Sequence, residues 1–182
     1  GGLVAAYAGA AATIFAVSAA FDALSRAAQS SQTLAGLQNL ATASGESADA
    51  LLSSVREITK GQLSLTEAAQ QINLSLSAGF DSSQIEGLAN VALRASRALG
   101  RDLTDAYTRV IRGSAKLETE LLDELGIYTK IDPATRAYAD AIGKSVSELT
   151  EFERRQAFVN SVIAEGERKF SSINVTVPTS AE

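Results

Sequence analysis

Between positions 118 and 124 the sequence places four carboxylates, Glu118, Glu120, Asp123 and Glu124. Residues three and four apart share a helix face, so Glu120, Asp123 and Glu124 could hold a hard cation such as Ca²⁺ or supply two carboxylates for acid–base work. Lys116 lies beside them, and no Asp/Asn ladder of the calcium-loop type surrounds them, which favours a solvated acidic face. A second constellation precedes it: Arg94, Arg97, Arg101, Arg109 and Arg112 form the positively charged zone of the chain. Arg94, Arg97 and Arg101 recur at three- and four-residue spacing and could meet phosphates or an acidic wall. No aromatic interrupts that stripe to stack on bases, and Asp102 and Asp105 sit among the arginines, so ordinary exposed helix charges are the better reading.

Other chemistries lack their residues. Cys, Met, His and Trp are all absent, which removes thiolate nucleophiles, soft metal ligands and the side chain best suited to proton transfer near neutral pH. Neither Gly-x-x-x-x-Gly-Lys-Ser/Thr nor Gly-x-Gly-x-x-Gly occurs, so no glycine loop cradles phosphate, and there is no Ser-x-x-Lys pair. No catalytic residue, cofactor or metal is therefore assigned. A formal charge of −5 over 182 residues lacks the broad basic field of a non-specific nucleic-acid binder, so any DNA contact is incidental.

The elements that would carry these residues are helical. Apolar residues recur at three- and four-residue steps from position 22 almost to the end. Leu51, Val55 and Ile58 mark one stretch; Leu65, Ala69, Ile72 and Leu76 the next. Ile85, Leu88, Ala92, Ala95 and Leu99 alternate three and four strictly, as do Leu103, Ala106, Val110, Gly113 and Leu117. Near the C-terminus the register returns as Leu149, Phe152, Gln156, Val159, Ile163, Gly166 and Phe170. Such seams suit partner helices, and Leu149, Phe152, Gln156, Val159, Ile163 and Phe170 are the candidate oligomer seam, with Gln156 setting register.

Ser64 with Glu67, Ser83 with Glu86, and Thr150 with Glu153 fit capping boxes, and Asp132 followed by Pro133 fits an N-cap and first helical position. Gly45, Gly61, Gly79, Gly100, Gly126 and Gly143 stand where helices should stop. Two stretches break the rule: 127–131 is short and β-branched and reads as extended, and 171–182 reads as an extended or disordered tail. The expected fold is all-α, a series of short and medium helices with coiled-coil-like seams that assembles as a multi-copy bundle. Its regions are 1–29, uncharged almost throughout and rich in Ala and Gly; 30–80, rich in Ser and Gln; 81–170; and the tail 171–182.

Positions 1–21 carry no charge and reach the length of about 20 residues that spans a bilayer. Their small side chains favour a buried helix over an inserted one. Nothing basic precedes them, so a signal peptide is not expected. Leu3, Val4, Tyr7, Ile14, Phe15, Val17 and Phe21 are candidate contacts with membrane or with a protein tube. With no Met in it, the sequence is expected to be part of a longer chain.

One ordered set of segments is more specific than any short motif. It runs Leu-Gly-Arg-Asp-Leu at 99–103, Arg-Val-Ile-Arg-Gly-Ser-Ala-Lys-Leu-Glu at 109–118 and Glu-Leu-Leu-Asp-Glu-Leu-Gly-Ile at 120–127. It continues as Tyr-Ala-Asp-Ala-Ile-Gly-Lys-Ser-Val-Ser-Glu-Leu-Thr at 138–150 and Phe-Glu-Arg-Arg-Gln-Ala-Phe-Val-Asn-Ser-Val-Ile-Ala-Glu-Gly at 152–166. With these segments, 88–170 resembles the region shared by many tail tape measure proteins of siphophages and prophages. The resemblance implies a helical structural protein in the lumen of the tail tube, near the tip, that sets tail length and leaves at genome ejection. It further implies homo-oligomers, a trimer or a hexamer, and contact with tube protein, tip or baseplate hub, tail assembly chaperones and the host membrane. The expected location is the virion tail, and the host envelope after ejection. The family brings no catalytic residues. The alternative is a membrane-anchored coiled-coil module of signalling or adhesin type, though Gly interrupts the seams too often for long heptads.

Overall fold

Five helix starts in this protein are set by short polar side chains, Ser47, Ser64, Asp81, Asp102 and Thr150, that accept amides a helix leaves unpaired. The computed structural model describes residue 23 and residues 25–175. The helices are α1 (25–44), α2 (Ala48–Ile58), α3 (Leu65–Ser77), α4 (Ser82–Leu99), α5 (Leu103–Lys116), α6 (Thr119–Asp123), α7 (Ile131–Ile142) and α8 (Glu151–Lys169). A 3₁₀ turn, Val146–Glu148, precedes α8. The fold is all-helical, with no strand among the described residues.

The capping boxes at Ser64/Glu67 and Thr150/Glu153 form as their spacing predicts. Ser83 with Glu86 does not. Helix α4 begins two residues earlier than that pair requires, and its box is made by Asp81 with Gln84. Glu86 instead accepts a hydrogen bond from Ser54 of α2 at 2.5 Å. Nor is Asp132 a cap: α7 starts at Ile131 after an extended Lys130, so Pro133 falls within the first turn. A missing N–H costs nothing there. Residues 127–130 alternate buried and exposed like an extended chain but pair with no other segment as a strand.

All six glycines expected to stop helices have positive φ, between 64° and 81°. Gly100 shows why glycine is needed. It caps α4 at φ 64° and lets Arg101 N–H return to the Ser96 carbonyl at 3.0 Å, so the chain reverses into α5 within three residues.

The α4–α5 hairpin is the centre of the fold. Helix α2 packs on α4, α3 on α5, α8 on both, and α7 on α8. One core runs from Leu37 of α1 to Phe170 and crosses the 80/81 region boundary without a break. Enclosure on several sides explains why α4 buries Ala89, Val91 and Leu93 as well as its seam residues Ile85, Leu88, Ala92 and Ala95. The seams of the other helices are likewise largely filled from within the chain; near helix ends, Leu65 of α3, Leu99 of α4 and Phe152 of α8 stay exposed.

Candidate functional site

The two charged constellations meet at one end of the hairpin. Asp102 caps α5, and one turn on, Asp105 lies between Arg101 and Arg109, each 3.0 Å from its Oδ2. Helix α6 returns against α5 and brings Glu124 to the same two guanidiniums, in direct contact with Arg109 and 3.8 Å from Arg101. This return requires Gly113. A Cβ there would stand 2.8 Å from Leu122 of α6, closer than side-chain carbons approach. The result is a two-by-two charge cluster on a partly exposed surface.

The acidic face is thus divided. Glu124 pairs with arginines, and Glu118 lies 4.0 Å from Lys116, the neighbour expected to balance it. Glu120 and Asp123 remain exposed. No group of three or more metal-ligating side chains exists among the described residues.

The arginine stripe does not act as one surface. Arg94 donates to carbonyls just past α8, Arg101 joins the charge cluster, and Arg97 buries its Nε with no hydrogen-bond partner. Asp105 and Glu124 neutralise the rest of that zone locally, with Arg112 left exposed on α5.

The candidate seam of α8 has a different fate. Leu149, Gln156, Val159 and Phe170 are buried within the chain, Ile163 is half-buried, and Phe152 is 54% exposed. Gln156 does set a register, but between α8 and α4: it accepts from Gln84 Nε2 at 2.5 Å and donates to the Gly79 carbonyl at 3.0 Å. Gln84 also donates to Asn160 at 2.9 Å. Sequence reading missed Gln84, because nothing local marks a glutamine at the start of a helix as buried. Phe158, off the seam and wholly buried, was missed for a related reason: α8 touches α4, α5 and α7, so its apolar face is wider than a two-helix seam. Tyr107 is also fully buried, its hydroxyl donating to the Ile85 carbonyl at 3.0 Å, and burial pushes its pKa far up.

An open groove of about 710 Å³ lies between α6 and the start of α7, lined by Asp123, Lys130, Asp132, Arg136 and the exposed Tyr128. Lys169 from the end of α8 sits 4.8 Å above the Tyr128 ring, a cation–π contact that ties this rim to α8. The groove offers balanced charge and no convergent pair for catalysis. The candidate membrane or tube contacts Leu3, Val4, Tyr7, Ile14, Phe15, Val17 and Phe21 lie outside the described residues. Among the described residues, no helix is long and apolar enough to cross a membrane.

No protein-family model matches the sequence, and no solved structure matches the fold.

Several carboxylates are held below their ordinary values, which gives stability a pH dependence. Ser64 lowers Glu67 from 4.5 by side-chain and backbone hydrogen bonds, aided by Thr104. Burial works to raise Asp105 from 3.8, but hydrogen bonds and charge from Arg109 and Arg101 outweigh it and leave the group lowered. The hydrogen bond from Lys144 leads the lowering of Glu153. A depressed folded value means that these groups stabilise the fold above their unfolded pKa, and that this is lost as pH falls through the folded one. Urea midpoints should therefore agree at about pH 7 and 5.5 and fall by about pH 3.5. Glu67→Gln, which keeps the capping geometry, should reduce the acid loss. An unchanged midpoint at the acid end would count against these assignments.

Proposed function

We propose that this chain is a folded helical segment of a phage tail tape measure protein, a structural component of the tail. The reading places it in the tail lumen near the tip, in several copies, where it takes part in setting tail length during assembly and leaves at genome ejection. Its partners are then the tube protein, the tip or baseplate hub and the assembly chaperones, with the host membrane met after release.

The observation that carries the reading is the ordered resemblance over 88–170, together with the work its residues do. Gly100, Arg101 and Asp102 form the α4–α5 turn, Gly113 admits Leu122, and Glu124 completes the charge cluster. Thr150 and Glu153 start α8, and Gly166 lets it approach Val91. Residues spent on joints and close contacts suit a part recognised by its shape.

The fold also limits how this segment serves as a ruler. As one unbroken helix, residues 25–175 would reach about 230 Å at ~1.5 Å per residue, whereas α1, the longest described helix, reaches about 30 Å. A tail of ordinary length must therefore be measured by further chain, with this segment a folded knot along it. In this folded form the copies would meet through surfaces other than the α8 seam.

Cryo-EM of intact tails, with mass spectrometry of the same particles, tests the proposal. Peptides of this chain in purified tails and helical density in the lumen near the tip are expected. A chain missing from tails but recovered in a bacterial membrane fraction would overturn it in favour of an anchored signalling module.

A further inference from the structure

Helices α1 to α7 each end at, or shortly before, a residue with positive φ, but α8 does not. Its C-cap, Phe170, has φ −101° and ψ 16°, and no residue described after it is left-handed. What stands at this helix end is a side chain from another helix. Arg94 Nη1 of α4 donates to the carbonyls of Phe170 at 3.2 Å, Ser171 at 3.4 Å and Ile173 at 3.1 Å. Its Nε is held by the Asn90 side chain at 3.2 Å, one turn back on α4, which aims the planar fork. A continuing helix would direct the first two of these carbonyls to amides four residues on. A guanidinium there also sits at the negative end of the α8 dipole.

The residues that follow lie down on the bundle. Ile173 N–H returns to the Phe170 carbonyl at 3.0 Å, and Ile173 and Val175 pack against the core. We infer that Arg94 is a latch: it terminates α8 and straps residues 171–175 to the bundle, so that α4 sets the path by which the chain leaves. The latch has a docked and a free state. Its opening responds to load or to a competing contact. Tension on the chain after 175 reaches the strap and Arg94 first, and α8 only once the latch has opened. This inference stands on the geometry of α4 and α8 and is independent of the proposed role in a tail.

Hydrogen exchange of the full chain, read by mass spectrometry, tests it with two variants. In Arg94→Gln the amides of 170–175 should exchange at least about tenfold faster while those of α3 and α5 keep their rates, as local opening requires. Ile173→Asp leaves Arg94 intact and releases the strap from its other side; it should give the same local pattern, and it decides the matter if Arg94→Gln fails to fold. Unchanged exchange at 170–175 would overturn the latch, and so would acceleration spread evenly over α3 and α5.

Discussion

Phe158→Ala should lower the stability of the protein by about 3–5 kcal/mol, the range for emptying a buried aromatic site. The side chain is wholly buried in α8, a helix packed against α4, α5 and α7 at once. Three sets of neighbours cannot all relax into one cavity, which favours the upper part of that range. For a domain whose total stability is about 5–15 kcal/mol, the loss is a large share, and the melting temperature should fall by roughly 10 °C. Phe152→Ala is the control: its ring is 54% exposed on the same helix, and its loss should cost less than about 1 kcal/mol. Urea unfolding followed by circular dichroism measures both. Equal costs would mean that α8 presents its seam, and not its broad face, to the core.

The second large effect has a sign that separates packing from propensity. Gly166 lies inside α8, where replacing glycine by alanine ordinarily stabilises a helix by about 1 kcal/mol. Here a Cβ would stand 2.5 Å and 2.8 Å from the two γ-carbons of Val91, on the enclosed face of α4. Overpacking of this kind costs about 1–3 kcal/mol, so Gly166→Ala should give a net loss and Gly166→Val a larger one. Val91→Ala removes the atoms in the way. In the double variant Gly166→Ala with Val91→Ala, the glycine substitution should become neutral or stabilising, a coupling that only direct contact produces. A stabilising Gly166→Ala in the otherwise unchanged chain would show that α8 and α4 stand further apart than this.

Both effects come from features that the sequence displays without interpreting. Gly166 falls on the periodic seam and Phe158 falls off it, yet both are buried. A period of three and four identifies a face for one partner helix. It does not report that a helix is enclosed by three. The acidic and basic constellations are visible in the sequence as groups of charges, but Lys116, expected to balance the acidic face, lies near Glu118 alone. The pairing of Glu124 with Arg101 and Arg109 is not visible there, because it depends on how α6 folds back over Gly113.

Helix identity and most helix boundaries were settled by the sequence alone. Their chemistry is local: Ser64 reaches Glu67, Thr150 reaches Glu153, and Gly100 takes the left-handed turn without the strain a side chain would bring. Where two local solutions competed, as Ser83/Glu86 did with Asp81/Gln84, the helix starts at the earlier one, and Glu86 accepts from Ser54 of another helix. Tertiary structure alone decided which faces became core, where α8 ends and what each arginine does. Those outcomes rest on contacts such as Gln84 with Gln156 and Arg94 with Phe170, between residues 72 and 76 positions apart, whose partners are set only when the helices pack.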